Sequence, residues 1–268
     1  MMQSHAPFPR LSFSGDVVRE SQRVLPAEVA VALSYNGSTH AVMMATPADL
    51  TDFALGFTLG EGIASSDEIE RVDVVETPLG IDLQIWLAEG AAARQQQRRR
   101  SMAGPVGCGL CGLDSLEEAV RDAPKVQGAL VMSPVQVMAA VADLPRHQPL
   151  HDITRAAHCA ALWVSGGVAL TREDVGRHNA VDKLVGAMMR PADNAALILT
   201  SRVSIDLVQK ACMAGFPVLI AASAPTAAAV RMADAAGLTL IANARSDGFE
   251  CYTHPHRLAD PKEVSHVA

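Results

Sequence analysis

The pattern of apolar and polar positions divides the chain into stretches of different character. From Glu28, the segments EVAVALSY and STHAVMMA flank Asn36-Gly37. Asn-Gly between two apolar segments predicts a hairpin, because both turn residues must take positive φ. A helix follows: Thr46 is placed to cap it, Pro47 suits its first position, Asp49 falls in its first turn, and Leu50, Phe53, Ala54 and Phe57 recur at helical spacing. Strands around RVDVVE and GIDLQIWL complete a ββαββ unit ending near Ala88. The preceding residues, 1–27, mix Ser, Pro, Arg and Asp without periodicity and read as a loose lead-in.

The pattern breaks after residue 90. EGAAARQQQRRRSMAGPVGCGLCG gathers Arg94, Arg98, Arg99 and Arg100 and then turns glycine-rich, so 91–112 reads as a mobile linker. Asp114-Ser115-Leu116-Glu117-Glu118 carries capping-box chemistry for a short helix to about Asp122, and a second helix is expected over Pro134–Ala142. From His158 the pattern becomes α/β. CAALWV and VALT flank Ser165-Gly166-Gly167 as a hairpin, and a helix carries Val181, Leu184, Val185 and Met188 on one face. Strands AALILT, PVLIAA and LTLIANA then alternate with helices over about 204–214 and 225–236, ended by Gly215 and Gly237. Such alternation predicts a parallel sheet with right-handed crossovers. The fold class expected is α/β (α+β overall): a small unit at 28–90, a linker at 91–112 and a larger unit at 113–268.

Composition narrows the function. The chain has 268 residues and 49% apolar content, enough for a real core. A formal charge of −7 argues against a general grip on nucleic acid or an anionic membrane. No stretch approaches the about 20 apolar residues of a membrane span, and MMQSHAPFPR carries no apolar signal core, so a reducing cytoplasm is the expected compartment. Five cysteines then read as core residues, metal ligands or reactive thiols rather than a disulfide framework.

Three segments carry candidate chemistry. Gly107-Cys108-Gly109-Leu110-Cys111-Gly112 matches both C-x-x-C and G-x-G-x-x-G, but the dinucleotide fingerprint must follow a strand, and here it follows an Arg-rich, Gly-Pro stretch. As a zinc half-site the cysteine pair needs two more ligands from His158, Cys159, Cys212, Cys251, His254 or His256. As a reactive pair it has flanking glycines that expose sulfur and nearby arginines that favour thiolate, which suits sulfur or disulfide exchange. A thioredoxin-like role fits poorly, because that motif joins a strand to a long helix. In EDVGRHNAVDK, His178 and Asp182 share a helix face, and Arg177 at the helix start is placed to hold an anion; a solvated charged turn explains the same residues. Finally Thr200-Ser201-Arg202, Ser223-Ala224-Pro225-Thr226 and Arg245-Ser246-Asp247-Gly248 each follow a strand. That edge of an α/β sheet takes ligands, with phosphates at helix N-termini, although Ser and Thr there also serve as ordinary caps.

Taken together, GCGLCG, EDVGRHNAVDK, TSRVS with VQKA, and YTHPHRL resemble the FdhD sulfurtransferases required for formate dehydrogenase activity, from about Val29 to Leu258. The resemblance implies a cytosolic, homodimeric sulfur carrier that takes sulfur from a cysteine desulfurase. The carrier passes it to molybdenum bis(molybdopterin guanine dinucleotide), the cofactor destined for formate dehydrogenase, with GDP as a mimic of the bound substrate and no catalytic metal. By position Cys108 corresponds to the persulfide-bearing cysteine and Cys111 to its companion. Asn243, Ala244, Arg245, Ser246, Asp247 and Gly248 fall where the family contacts the cofactor, and Ser201, Arg202, Ser223, Arg177 and His178 are further candidates. The larger unit is expected to resemble the three-layer cytidine deaminase-like fold. The deaminases' zinc chemistry is excluded, since no histidine is followed two residues later by Glu. The rival reading is a non-catalytic chaperone for the molybdenum cofactor whose cysteine pair is structural, around zinc.

Overall fold

The computed structural model describes residues 2–101 and 123–259. Cys108, Cys111 and the short helix expected after Asp114 lie outside the described residues.

The small unit forms as its periodicity predicts. Strands β3 (Val29–Tyr35) and β4 (Ser38–Ala45) turn at Asn36 and Gly37, with φ of 47° and 80°. Helix α1 (Leu50–Gly60) leads to β5 (Ile69–Thr77) and β6 (Gly80–Leu87). The sheet order is β4-β3-β6-β5, with β3 and β6 parallel at its centre. Phe53, Ala54 and Phe57 of α1 close over Val31, Leu33, Ile81, Leu83 and Ile85.

Three expectations are corrected here. Residues 5–26 are not a loose lead-in but a hairpin of β1 (His5–Ser14) and β2 (Val17–Pro26). Pro7 and Pro9 argue against a strand, yet a two-stranded ribbon leaves alternate N–H groups unused, so it tolerates them. Thr46 does not cap α1. The residue before the helix is Asp49, in the left-handed region at φ 51°. The expected linker opens as helix α2 (Glu89–Ser101), whose Ala91 and Gln95 are buried and whose Arg94 pairs with Glu68 at 2.6 Å.

The larger sheet has the order β12-β11-β10-β9-β7-β8. Its strands are β7 (His158–Val164), β8 (Gly167–Asp174), β9 (Ala196–Leu199), β10 (Val218–Ala221), β11 (Thr239–Ala242) and β12 (Glu250–Cys251). Strands β9, β10 and β11 are parallel, as expected, while β7 and β12 run against them and β8 returns to their direction. Side chains alternate between two cores. Leu197, Leu199, Leu219 and Leu240 face α5 (Arg177–Met188), α6 (Ile205–Met213) and α7 (Ala227–Ala236). Ile198, Val218, Ile220 and Ile241 face α3 (Pro134–Asp143) and the segment around Met132. The result is a mixed α/β architecture of helix, sheet and helix layers. The helix α3 begins with a capping box from Ser133 and Gln136 and carries Pro134 in its first turn, and the short helix α4 (Pro149–Thr154) follows it. Burial of each large core side chain contributes about 1.5–3 kcal/mol, so the sheet edges are held on a rigid base.

Candidate functional site

The carboxyl ends of β8, β9, β10 and β11 lie along one edge, and backbone hydrogen bonds lace their loops together. Ala222 N donates to Leu199 O at 2.8 Å, Thr226 N to Val203 O at 2.9 Å, Ala244 N to Ala221 O at 3.0 Å and Asn243 N to Ser223 O at 3.3 Å. Ser201, Arg202, Ser223 and 243–248 thus lie on neighbouring loops beyond the strand ends. Helices α6 and α7 both start here, after Ser204 and Thr226.

The side chains divide into those free to meet a ligand and those already engaged. Thr226 is an ordinary cap, accepting from Ala229 N at 3.2 Å. Ser201 is buried and donates to Arg202 O. Ala244 is fully buried in the core, its carbonyl taking Arg245 Nη1 at 3.0 Å. Arg245 also donates to Ala222 O, and its own N–H closes a turn on Gly248 O at 2.8 Å. Arg202, Arg245, Ser246 and Asp247 are exposed, so two guanidinium groups stand near two helix N-termini, a setting that favours anions.

The segment EDVGRHNAVDK fits neither sequence reading as a whole. Asp174, Asn179, Asp182 and Lys183 are buried. Lys183 Nζ meets Asp174 Oδ2 at 2.6 Å and Thr46 O at 2.9 Å; Asp174 also accepts from Thr46 N, Gly176 N and Asn179 Nδ2. Thr46 is thus a staple between the small sheet and α5. His178 and Asp182 do share a face, and it is turned to α6: His178 Nε2 lies 3.7 Å from Asp206 Oδ2, and Asp182 meets Lys210 at 2.8 Å. Lys210 also pairs with Glu61 at 2.8 Å. Burial opposes its charge, but the two carboxylates outweigh burial and hold its pKa above the usual lysine value.

Only Arg177 and His178 of this segment remain candidates for ligand contact. Arg177 Nε and His178 Nε2 are buried with no hydrogen-bond partner among the described residues. Burial, then Arg177 and Lys210, push the His178 pKa down to about 4. His158, at the same edge, is lowered by burial and by Arg177. Both imidazoles are therefore neutral at pH 7. Sequence reasoning considered His158 only as a zinc ligand and missed Asp206 and Lys210, although their spacing of four repeats that of His178 and Asp182.

Of the remaining cysteines, Cys159 and Cys212 are buried and Cys251 is half-buried. Burial pushes all three thiols up, Cys212 to about 12. Among the described residues no group of three or more His, Cys, Asp or Glu is arranged to hold a metal ion, and no helix is long and apolar enough to cross a membrane. A cleft of about 420 Å³ opens at the far ends of α5 and α6, lined by Ile63, Arg94, Val185, Met189 and Met213, away from the strand-end loops.

Comparison with known proteins agrees with this architecture. A solved structure described as a formate dehydrogenase accessory protein from Desulfotalea psychrophila superposes with a TM-score of 0.77 at 23% identity, covering 96% of this chain and 100% of that one. It shares the fold. The sulfur carrier protein FdhD of Agrobacterium fabrum (strain C58 / ATCC 33970) is 49% identical over 245 residues, covering 88% of this chain and 90% of the relative. That of Brucella abortus biovar 1 (strain 9-941) is 50% identical over 248 residues, covering 90% and 92%. The model of the FdhD/NarQ family matches residues 26–259, so the chain belongs to the FdhD/NarQ family.

Proposed function

We propose that this protein is a sulfur carrier for formate dehydrogenase activation. Cys108 thiolate attacks the outer sulfur of a cysteine desulfurase persulfide, the S–S bond breaks, the desulfurase thiolate leaves, and Cys108 becomes the persulfide. Cys111 assists or resolves. The sulfur is delivered to molybdenum bis(molybdopterin guanine dinucleotide), bound as substrate at the strand-end edge of a cytoplasmic homodimer.

The observation that carries the binding half of this reading is the convergence of three strand-end loops, Arg202, Arg245 and two helix N-termini on one edge. This arrangement suits nucleotide phosphates. For the sulfur-carrying half, the high pKa of Cys159, Cys212 and Cys251 argues against a thiolate role for them and leaves the C-x-x-C pair. The names of the relatives point to the same role. The layer order also fits the cytidine deaminase-like arrangement implied by the resemblance, here serving sulfur transfer.

The test is mass spectrometry after incubation with desulfurase and cysteine. Cys108 is expected to gain about 32 Da, one sulfur atom, and Cys108→Ala is expected to lose both the adduct and target activation. Full activation by Cys108→Ala overturns the carrier reading. One tightly held zinc per chain, with unfolding on chelation, supports the structural-pair rival instead.

A further inference from the structure

The cleft at the far ends of α5 and α6 takes no part in the steps described so far. Ile63 and Val185 are buried in its wall, and Met189 and Met213 stand at its mouth with 39% and 38% of their surfaces exposed. Gly62, in the left-handed region at φ 62°, leaves Met213 its room, since a Cβ there would lie 3.3 Å from Met213 Cε. The volume of about 420 Å³ falls within the range of binding clefts, about 300–1,000 Å³. Unbranched methionine side chains adapt to the shape of whatever they meet, which suits them to binding surfaces. The rim is basic. Arg94 reaches in from α2 and is balanced by Glu68 at 2.6 Å, Arg190 is exposed just past α5, and α2 continues through Arg98, Arg99 and Arg100. In a chain whose net charge is −7, this is a local excess of the opposite sign.

We infer that this cleft is the docking site for the sulfur-donating protein, and that it takes a segment of that partner presenting an apolar side chain flanked by carboxylates. The inference rests on the carrier reading above. Chain connectivity points to the donor. Arg94 lines the cleft, and α2 ends at Ser101, about 10 Å further along the helix. Cys108 follows seven residues later, within about 25 Å of that end even for a fully extended chain. A donor seated in the cleft therefore presents its persulfide within the radius that the chain allows Cys108. The cofactor is assigned to the strand-end edge, where α6 begins, which leaves the cleft to the other partner. The arginines run along α2 beyond the cleft, so a small ligand filling the cavity would leave most of them unused, whereas a protein surface meets both. Opposite charge steers the encounter, and burial of apolar side chains between Met189 and Met213 holds it.

Loading Cys108 from two different donors tests the assignment. One is cysteine desulfurase with cysteine. The other is glutathione persulfide, which needs no docking surface: Cys108 thiolate takes its outer sulfur, the S–S bond breaks, and glutathione leaves as thiolate. Mass spectrometry reads the initial rate of the gain of one sulfur. Met213→Asp and Arg190→Glu, both at exposed positions, should slow loading by the desulfurase about tenfold or more. The same variants should leave loading by glutathione persulfide within about twofold, because that exchange depends only on the thiols and their access. Raising the salt concentration should slow desulfurase loading of the wild type more than of Arg190→Glu, since screening removes an attraction the variant has already lost. Leu79→Asp, at the exposed turn between β5 and β6, should change neither rate. Desulfurase loading at the wild-type rate in both cleft variants overturns the inference while the carrier reading stands, and so does equal slowing with both donors. No sulfur on wild-type Cys108 from either donor overturns both.

Discussion

Gly56 of α1 and Gly186 of α5 face each other so closely that neither helix has room for a Cβ at the crossing. A Cβ on Gly56 would lie 1.6 Å from Asp182 O, and one on Gly186 would lie 1.9 Å from Asp52 O. The two helices therefore meet backbone on backbone. This contact carries the small sheet against the large one and sets the position of α5, whose first residues are Arg177 and His178.

Because the atoms that would be struck are backbone, they cannot swing aside as a side chain can. Gly56→Ala or Gly186→Ala should cost about 3 kcal/mol or more and lower the melting temperature by about 6–12 °C. An unchanged melting curve would show that the helices slide apart freely.

Lys183 and Asp174 form an ion pair in which both side chains are fully buried. Lys183→Met should destabilise by about 3–5 kcal/mol, since it strands a buried carboxylate, and the double variant with Asp174→Asn should recover part of the loss. Urea unfolding midpoints measure both. Additive losses in the double variant would contradict the coupling.

The depressed pKa of His178 makes stability depend on pH. The folded imidazole titrates near 4, against about 6.5 for an unperturbed one, so between those values the unfolded chain binds the extra proton. Stability should therefore fall as pH drops through this window, by up to about 3 kcal/mol from this residue. Arg177 and Lys210 oppose protonation, while Asp206 and Glu61 favour it less strongly. His178→Asn should flatten the stability curve between about pH 6.5 and 4 relative to the wild type. Parallel curves would place His178 in water.

Alkylation tests the division of the thiols. Iodoacetamide at neutral pH should label Cys108 and Cys111 in the native protein and spare Cys159 and Cys212 until the chain is unfolded, because burial holds the latter two protonated. Rapid native labelling of Cys159 or Cys212 would refute it.

What the sequence determined by itself is what depends on neighbours along the chain. Asn36-Gly37 fixed a hairpin because few residues accept positive φ, and Gly215 and Gly237, at φ 80° and 77°, ended two helices for the same reason. The apolar runs AALILT, PVLIAA and LTLIANA announced buried parallel strands, and the rule that ligands bind beyond such strands gathered Arg202, Ser223 and Arg245. Tertiary structure alone decided the fate of the charges. Lys183 reads as a solvated residue until folding brings Thr46, 137 positions earlier, to within 2.9 Å of its ammonium. Thr46 has the residue type and spacing of a helix cap, but its hydroxyl oxygen is taken by Val175 N–H across 129 positions. Local patterns report backbone preference and which face is apolar. Whether a charge is buried, and with whom, is set by partners that only the closed fold supplies, because burying an ion is unfavourable until its counter-charge and hydrogen bonds are already in place.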